Sequence, residues 1–290
     1  MLPLQNHNCC SGYFSSANNN STIKSKHVKR FSYSLCLLFC LSCTATKQST
    51  QNIKFAANPV VAHRGAFKLN KLPENSIAAL KEAIRLKCTG SEFDIRMTAD
   101  DSLVINHDPH FNKLEIEKVT YAELMQFRLS NNEPLPTLQQ YLEAGLANNT
   151  STRLILEIKP SGISKERGKR IAEKVVQLVK RLHAEPMAVY ISFDYDILLK
   201  IRELDATAVL QYLEGNKSPA QVKADKINGV DYHYSFFQKN PQWITEAKQN
   251  GIALNSWTVN DSTTMSWLLK EGFDYITTNE PELLFRLLKK

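Results

Sequence analysis

Four short motifs bring together the residue types that metal-assisted cleavage of a phosphodiester requires. The motifs are His63-Arg64-Gly65, Glu92-x-Asp94, His107-Asp108 and Glu157-x-Lys159. Carboxylates hold hard divalent cations, imidazoles exchange protons near neutral pH, and Arg and Lys neutralise phosphate oxygens. We therefore expect phosphoryl chemistry if the fold brings the four motifs together.

These motifs stand at the ends of hydrophobic, strand-like runs. From residue 59 onward, short β-branched runs alternate with amphipathic stretches, which is typical of βα units around a parallel sheet. Strands are predicted at 59–63, 90–95, 153–158, 187–192, 207–212, 228–232, 252–257 and 273–277. Helices are predicted at 75–87, 137–146, 165–183, 194–203, 218–225, 240–249, 261–271 and 280–288. The alternation predicts a single α/β domain over residues 58–290, a (β/α)8 TIM barrel.

Residues 96–136 interrupt the alternation between the second strand and its helix. They contain a strand-like run at 103–107 and a helical candidate at 121–127. Long insertions in βα loops are usually functional. The segment is therefore predicted to be an insertion on the catalytic face of the barrel.

Three carboxylates are candidate metal ligands: Glu92, Asp94 and Glu157. Residues two apart on a strand point to the same side, and the carboxyl ends of barrel strands form the active site. Unpaired charges inside a barrel are costly, and one divalent cation would offset that cost. Oxygen-only ligands favour Mg²⁺, Ca²⁺ or Mn²⁺ over Zn²⁺. The alternative is a salt-bridged polar layer, in which Arg64, Arg96 and Lys159 neutralise the carboxylates.

His63 and His107 are the candidate catalytic residues. A lone histidine is more often structural, but two histidines at the same predicted mouth as a carboxylate triad favour an acid–base pair. Asp108 either orients His107 or caps the following turn, and the sequence favours neither.

Arg64 and Lys159 are predicted to bind the phosphate of a substrate. Trp257 ends the seventh predicted strand and is expected to form an aromatic wall, with core packing as the alternative. Asn75 is expected to cap the first helix, and Glu74 to face the pocket.

Composition excludes several classes of protein. The chain has 290 residues, 43% of them hydrophobic, and a net charge of +7. Residues 1–43 contribute four basic residues and no acidic one, so the remainder carries 32 basic and 29 acidic residues. There is no basic stripe with interleaved aromatics, so we do not expect nucleic-acid binding. Beyond residue 43 the only cysteine is Cys88, which cannot form an internal disulfide and is expected to be a small buried hydrophobe.

The N-terminal 43 residues have the layout of a secretory signal. A basic stretch at 24–30 is followed by a short apolar run at 31–42 and by Cys43. Ser42-Cys43 resembles the end of a bacterial lipoprotein signal, with a plain cleaved signal or an uncleaved anchor as alternatives. Residues 44–57 are predicted to be a polar tether. We expect an exported protein, periplasmic or tethered to a membrane only by a lipid on Cys43; the sequence does not indicate the oligomeric state.

Six segments of the body resemble the glycerophosphodiester phosphodiesterases. They are HRG at 63–65, PENS at 73–76, EFDIRMT at 92–98, LVINHD at 103–108, LEIK at 156–159 and WTVN at 257–260. The resemblance implies the barrel with its insertion and a divalent metal held by Glu92, Asp94 and Glu157. It also implies His63 and His107 as general base and general acid, with Arg64 and Lys159 on the phosphate.

This resemblance implies hydrolysis of a small glycerophosphodiester to sn-glycerol 3-phosphate and an alcohol. Three alternatives stay open. One is a related phosphodiesterase that acts on lysophospholipids or glycerophosphate polymers, and another is a phosphoinositide-type phospholipase C, against which the Glu-x-Asp and Glu-x-Lys motifs argue. The third is a catalytically silent surface protein that binds glycerophosphate groups.

Overall fold

Eight parallel strands surround a common axis in the computed structural model, which describes residues 52–289. They are β1 (Val60–Ala62), β2 (Gly90–Met97), β6 (Arg153–Ile158), β7 (Ala188–Ser192), β8 (Val209–Tyr212), β9 (Gly229–His233), β10 (Ala253–Trp257) and β11 (Ile276–Thr278). The hydrogen-bonded order is β10-β9-β8-β7-β6-β2-β1-β11. At the open seam, the Tyr275 N–H donates to Leu254 O at 3.0 Å, so the barrel is nearly closed. All eight predicted strands are present and the predicted TIM barrel is confirmed.

Helices cover the outside of this barrel, except the one at residues 121–124, which lies in the insertion at 96–136. They are α1 (Ile77–Arg85), α2 (Tyr121–Leu124), α3 (Leu138–Leu146), α4 (Lys165–Arg181), α5 (Tyr195–Leu204), α6 (Pro219–Ala224), α7 (Tyr234–Lys239), α8 (Gln242–Asn250), α9 (Ser262–Lys270) and α10 (Pro281–Leu288). Each predicted helix is present, but α7 was not predicted. It follows β9 directly and ends at Asn240, before Pro241. Its six residues are too few to show the periodic spacing of apolar residues that predicts a helix.

The core has two layers because strand side chains alternate between the helices and the barrel axis. Apolar helix faces pack on the outer side of the sheet; in α4 these are Ile171, Val175 and Val179, at helical spacing. The apolar part of the inner layer is a smaller cluster that includes Ile155, Ile191, Val61, Val189 and Leu213. The inner layer also receives Glu92, Asp94 and Glu157, which gives the barrel a polar mouth.

The predicted insertion is present after β2. β3 (Leu103–Ile105) runs antiparallel to β2, and β4 (His110–Phe111) pairs with β5 (Leu114–Glu115) in a small hairpin. The insertion has its own apolar cluster of Val104, Ile116, Leu124 and Leu135. It therefore packs as a unit beside the mouth.

The described chain meets the barrel at the end opposite the strands' carboxyl termini. Lys54 N donates to Thr150 O at 2.8 Å and Ala56 N to Ser151 O at 2.9 Å, just before β6 begins. The Arg153 guanidinium lies 3.7 Å from the centre of the Phe55 ring. Residues 52–57, the described end of the predicted tether, thus contact the barrel. The predicted leader at 1–43, including Cys43, and residues 44–51 lie outside the described residues.

Within residues 52–289, no helix combines the length and the apolar content that crossing a bilayer requires. Cys88 is fully buried, and burial raises the pKa of its thiol, so it is the inert small hydrophobe predicted.

Candidate active site

The three predicted metal ligands meet at one point on the inner face of the barrel. Glu92 and Asp94 lie on β2, and Glu157 lies opposite Asp94 on β6. Each offers an oxygen within 4.8 Å of the others, and all three side chains are buried. Strand alternation and register alone therefore build a triad of oxygen donors.

Burial and mutual repulsion disfavour the ionised form of the carboxylates in this triad. Burial, with repulsion from the other two carboxylates, raises the pKa of Glu92 well above its usual range, and burial and Asp94 raise that of Glu157. For Asp94, burial is outweighed by the charge of Lys159, which lowers its pKa to about 2. Glu92 Oε1 is buried and has no hydrogen-bond partner. A hard divalent cation would satisfy this orphaned oxygen and favour ionisation of all three groups, so the residues fit such a metal.

Two cations border the triad. Lys159 Nζ lies 2.8 Å from Asp94 Oδ1 and 2.6 Å from Glu157 Oε1. Arg64 Nε lies 3.6 Å from Asp94 Oδ2, and its NH1 donates to Glu74 Oε1 at 2.8 Å. Lys159 and Arg64 thus form the ion pairs expected of a salt-bridged polar layer. Arg96 is not part of that layer, because it donates to the backbone oxygen of His107 at 2.9 and 2.6 Å.

A tight turn after β1 places Arg64. Its φ of 54° is followed by Gly65 at φ 81°, where a Cβ atom would lie 2.6 Å from the backbone of Ala79. Only glycine fits this approach to α1. The turn also aims the Arg64 N–H at Glu92 Oε2, at 2.8 Å, so the backbone helps to fix a metal ligand.

Asn75 does not cap α1, which corrects the prediction. The N-cap is Ser76, whose hydroxyl accepts from Ala79 N. Asn75 instead adopts a φ of 58° and turns its amide inward. It donates to Asp94 Oδ2 at 2.7 Å and accepts from Asp94 N at 3.2 Å. This reciprocal pair holds Asp94 in place.

The two histidines approach the triad with different partners. His63 Nδ1 lies 2.7 Å from Asn279 Oδ1, and its Nε2 lies 3.8 Å from Glu92 Oε2. Because an amide oxygen only accepts, His63 Nδ1 carries the proton and Nε2 presents a lone pair. Burial and the charge of Arg64 lower the pKa of His63 to about 4, so it is neutral at physiological pH.

His107 is carried by the insertion and paired with a carboxylate. Its Nδ1 lies 2.8 Å from Asp108 Oδ1, and that hydrogen bond lowers the pKa of Asp108. A carboxylate on Nδ1 stabilises an imidazolium. Of the two roles considered for Asp108, this geometry favours orienting His107.

Trp257 forms a wall of the cleft rather than part of the packed core. Its Nε1 donates to Asp231 O at 2.9 Å, and Phe193 meets it edge to face at 5.3 Å between ring centres. Leu213 and Ile191 continue the apolar wall. The predicted catalytic, phosphate-binding and metal-binding residues and Trp257 converge on this cleft, with Asp94 immediately behind its lining residues. The prediction for Glu74 is wrong, because Glu74 is exposed and does not line the cleft.

Residues 63–283 match the glycerophosphoryl diester phosphodiesterase family. The chain belongs to this family. A glycerophosphodiester phosphodiesterase of Caldanaerobacter subterraneus subsp. tengcongensis is 30% identical over 245 residues, which are 80% of this chain and 98% of that protein.

Solved structures agree. A glycerophosphodiester phosphodiesterase of Parabacteroides distasonis is 38% identical, with a TM-score of 0.78 over 81% of this chain and 98% of that one. An Oleispira antarctica phosphodiesterase was solved with the product sn-glycerol 3-phosphate. It is 22% identical, with a TM-score of 0.70, and the match covers 81% of this chain and 98% of that one. At that identity the likeness concerns the fold.

Sequence reasoning missed two residues of the site, Asn279 and Asp231, and gave Asn75 the wrong role. Asn279 follows β11 and lies 216 positions from His63, so only the closed barrel reveals the pair. Asp231 lies on β9, belongs to none of the recognised motifs and lines the cleft with only 1% of its surface exposed. Burial and the charge of Glu157 raise its pKa well above the usual range. The one signal that the sequence offered for Asp231 was an acidic residue at an inward-facing position of a predicted strand.

Proposed function

We propose that the protein hydrolyses glycerophosphodiesters to sn-glycerol 3-phosphate and an alcohol, with one divalent cation and the pair His63 and His107. The observation that carries the proposal is the convergence of a buried carboxylate triad, two cations and two histidines on one cleft, in a chain of this family. The related phosphodiesterase of Caldanaerobacter, named for this activity, supports it.

Arg64 and Lys159 would hold the phosphate of the substrate. Both border the triad, and both charges are directed into the cleft. Cations fixed at this position offset charge that grows on the phosphoryl oxygens during displacement. When bound by Glu92, Asp94 and Glu157, a Mg²⁺, Ca²⁺ or Mn²⁺ ion supplies Lewis acidity and lowers the pKa of a coordinated hydroxyl or water.

The histidines divide the proton transfers between them. His63 is neutral with its Nε2 lone pair toward the cleft, so it accepts the proton of the nucleophile, water or the glycerol 2-hydroxyl. The phosphorus–oxygen bond to the alcohol then breaks, and the leaving oxygen takes its proton from His107. Asp108 on Nδ1 stabilises the imidazolium that makes this donation.

Hydrolysis of glycerophosphocholine by the purified protein tests the proposal. We expect EDTA to abolish release of glycerol 3-phosphate and one of Mg²⁺, Ca²⁺ or Mn²⁺ to restore it. Turnover without any metal would contradict the metal role. No turnover with any metal, on glycerophosphocholine, lysophospholipids or glycerophosphate polymers, would favour a silent binding protein.

We also propose export of the protein and attachment to a membrane through a lipid on Cys43. The basic stretch, apolar run and Ser42-Cys43 support this. Mass spectrometry of the mature N-terminus tests it, because a lipidated protein begins at Cys43 with its acyl groups. An unprocessed Met1 in the mature protein would contradict it.

A further inference from the structure

A fourth carboxyl group in the cleft, that of Asp231, is separate from the metal triad. It is 99% buried, and its Oδ1 has no hydrogen-bond partner in the described protein. The cluster of ligand oxygens within 4.8 Å of one another contains Glu92, Asp94 and Glu157 but not Asp231. A buried carboxyl oxygen left without a donor is costly, which suggests that a ligand supplies the donor.

The barrel order places Asp231 across the cleft from the metal ligands. β9, which carries Asp231, is four strands from β2 in either direction around the eight-stranded ring. The phosphate cations Arg64 and Lys159 stand on the β1, β2 and β6 side. A substrate with its phosphate at those cations can therefore direct one of its two ester substituents toward Asp231.

The surroundings of Asp231 fit a small uncharged donor. Asp231 lines the cleft together with the apolar or aromatic side chains of Leu213, Ile191 and Trp257, and among the described residues the one charged group that acts on it is Glu157. The Trp257 Nε1–H is not available to the carboxyl, because it donates to the backbone oxygen of Asp231 at 2.9 Å. A hydroxyl group is the smallest uncharged group that can donate a hydrogen bond to Oδ1 of Asp231.

We propose that Asp231 accepts a hydrogen bond from the terminal hydroxyl of the substrate's glycerol and so selects diesters whose glycerol is not acylated. The inference rests on the proposed function, which already names glycerophosphodiesters as substrates, and assigns a specificity-determining residue to the same site. An ester oxygen at that position has no proton to donate, and its acyl chain would have to occupy the space in front of Asp231. A site built around a substrate hydroxyl discriminates strongly against analogues that lack it.

The test pairs a variant with a deleted substrate group. Asp231→Ala, Asp231→Asn and the unmodified protein are assayed on glycerophosphocholine and on its 1-deoxy analogue, in which propane-1,2-diol replaces glycerol and the 2-hydroxyl is kept. We expect Asp231→Ala to lower kcat/KM for glycerophosphocholine about 2- to 10-fold, mostly through KM, since burial favours the uncharged form of this carboxyl and a hydrogen bond between uncharged groups contributes about that factor. Asp231→Asn keeps an acceptor oxygen and should lose less. On the deoxy analogue, all three proteins should be nearly equal.

Bis(4-nitrophenyl) phosphate, which has no glycerol, is the control substrate. Equal losses on it and on glycerophosphocholine would overturn the proposal, because Asp231 would then act on the fold or the metal. A loss on glycerophosphocholine but not on glycerophosphoglycerol would also overturn it, because the contact would be to the ammonium head group.

Calorimetric binding separates this inference from the proposed hydrolysis. sn-Glycerol 3-phosphate should bind the unmodified protein more tightly than its 1-deoxy analogue, and Asp231→Ala should erase the difference, whether or not the protein turns over. Equal binding of the two ligands by the unmodified protein would overturn the proposal.

Discussion

At the scale of single residues, the two catalytic candidates differ in what holds their Nδ1 atoms. A neutral amide oxygen accepts from His63, whereas a carboxylate pairs with His107. The first arrangement leaves the Nε2 lone pair of His63 toward the cleft, and the second orients the His107 ring through a carboxylate. This difference supports the proposed roles of His63 as base and His107 as acid.

Leaving-group dependence checks that assignment. His63→Ala and His107→Ala should each lower kcat on glycerophosphocholine about 10²- to 10⁴-fold, the range for loss of an acid or base. With a 4-nitrophenyl diester the leaving oxygen needs no proton, so His107→Ala should recover most of its activity and His63→Ala should not.

The matched control for these variants is His183→Ala, because His183 is exposed and lies outside the cleft. It should behave as the unmodified protein. Recovery by His63→Ala instead of His107→Ala would reverse the roles, and circular dichroism would show that both variants fold.

Asn279 is a positioning residue for His63, and its replacement should shift the pH profile. The pKa of His63 is about 4, so the neutral base is present above that pH. Asn279→Asp would place a carboxylate on Nδ1 and stabilise the imidazolium, which raises the pKa. The acidic limb of kcat/KM should therefore move to higher pH.

Asn260→Asp is the control, because Asn260 lies on a neighbouring loop and accepts from Asn279 N without contacting His63. It adds the same charge nearby. If both variants shift the acidic limb of kcat/KM equally, the shift comes from the added charge in general and not from the contact with His63 Nδ1.

The convergence of the candidate site residues could be predicted from sequence because their spacing follows the strand period. Glu-x-Asp and Glu-x-Lys place side chains on one face of a strand, and strand ends converge in a barrel. Asn75 was assigned to a cap because asparagine favours that position, yet the adjacent Ser76 takes it. Asn279 and Asp231 are joined to the site only by closure of the barrel, which no local pattern encodes.

At the scale of elements, one arginine of α4 contacts two separate points of the insertion, in addition to the pairing of β3 with β2. Arg167 donates from NH2 to Thr98 O at 2.7 Å and from Nε to Glu117 Oε1 at 3.1 Å. These contacts join both ends of the segment 98–117, which carries His107. The sequence predicted the insertion but not this attachment, because the residues involved are about 50 to 70 positions apart.

Arg167→Leu should loosen the insertion and reduce turnover together. The side chains of Arg167 and Glu117 are 13% and 11% exposed, so loss of their charged hydrogen bonds should destabilise the protein by about 1.5–3 kcal/mol. Urea unfolding measures this, and hydrogen exchange should rise at Ile116, whose N–H donates to Pro109 O.

Arg170→Leu is the matched control on the same helix. Arg170 is 51% exposed and pairs with Asp101 at the surface, so its loss should change stability by less than about 1 kcal/mol. Equal effects of the two variants on stability and kcat would mean that α4, rather than the Arg167 contacts, determines the behaviour of the insertion.

At the scale of the whole molecule, the chain enters the barrel at one end and the cleft opens at the other. Residues 54–56 contact residues 150 and 151 before β6, whereas Lys159 follows the carboxyl end of the same strand. The described segment before β1 therefore meets the barrel away from the cleft.

Removing the proposed lipid should consequently change where the protein is found and not what it does. Cys43→Ala should move the protein from the membrane fraction to the soluble fraction, because a diacylated N-terminus anchors stably and a polar one does not. Its kcat/KM on glycerophosphocholine should stay within about twofold of the unmodified protein, since a factor of two corresponds to only about 0.4 kcal/mol in the transition-state free energy. A variant that stays in the membrane fraction would contradict lipidation of Cys43. One that becomes soluble but loses most of its turnover would show instead that the membrane surface contributes to catalysis, and the separation of anchor and cleft would then be wrong.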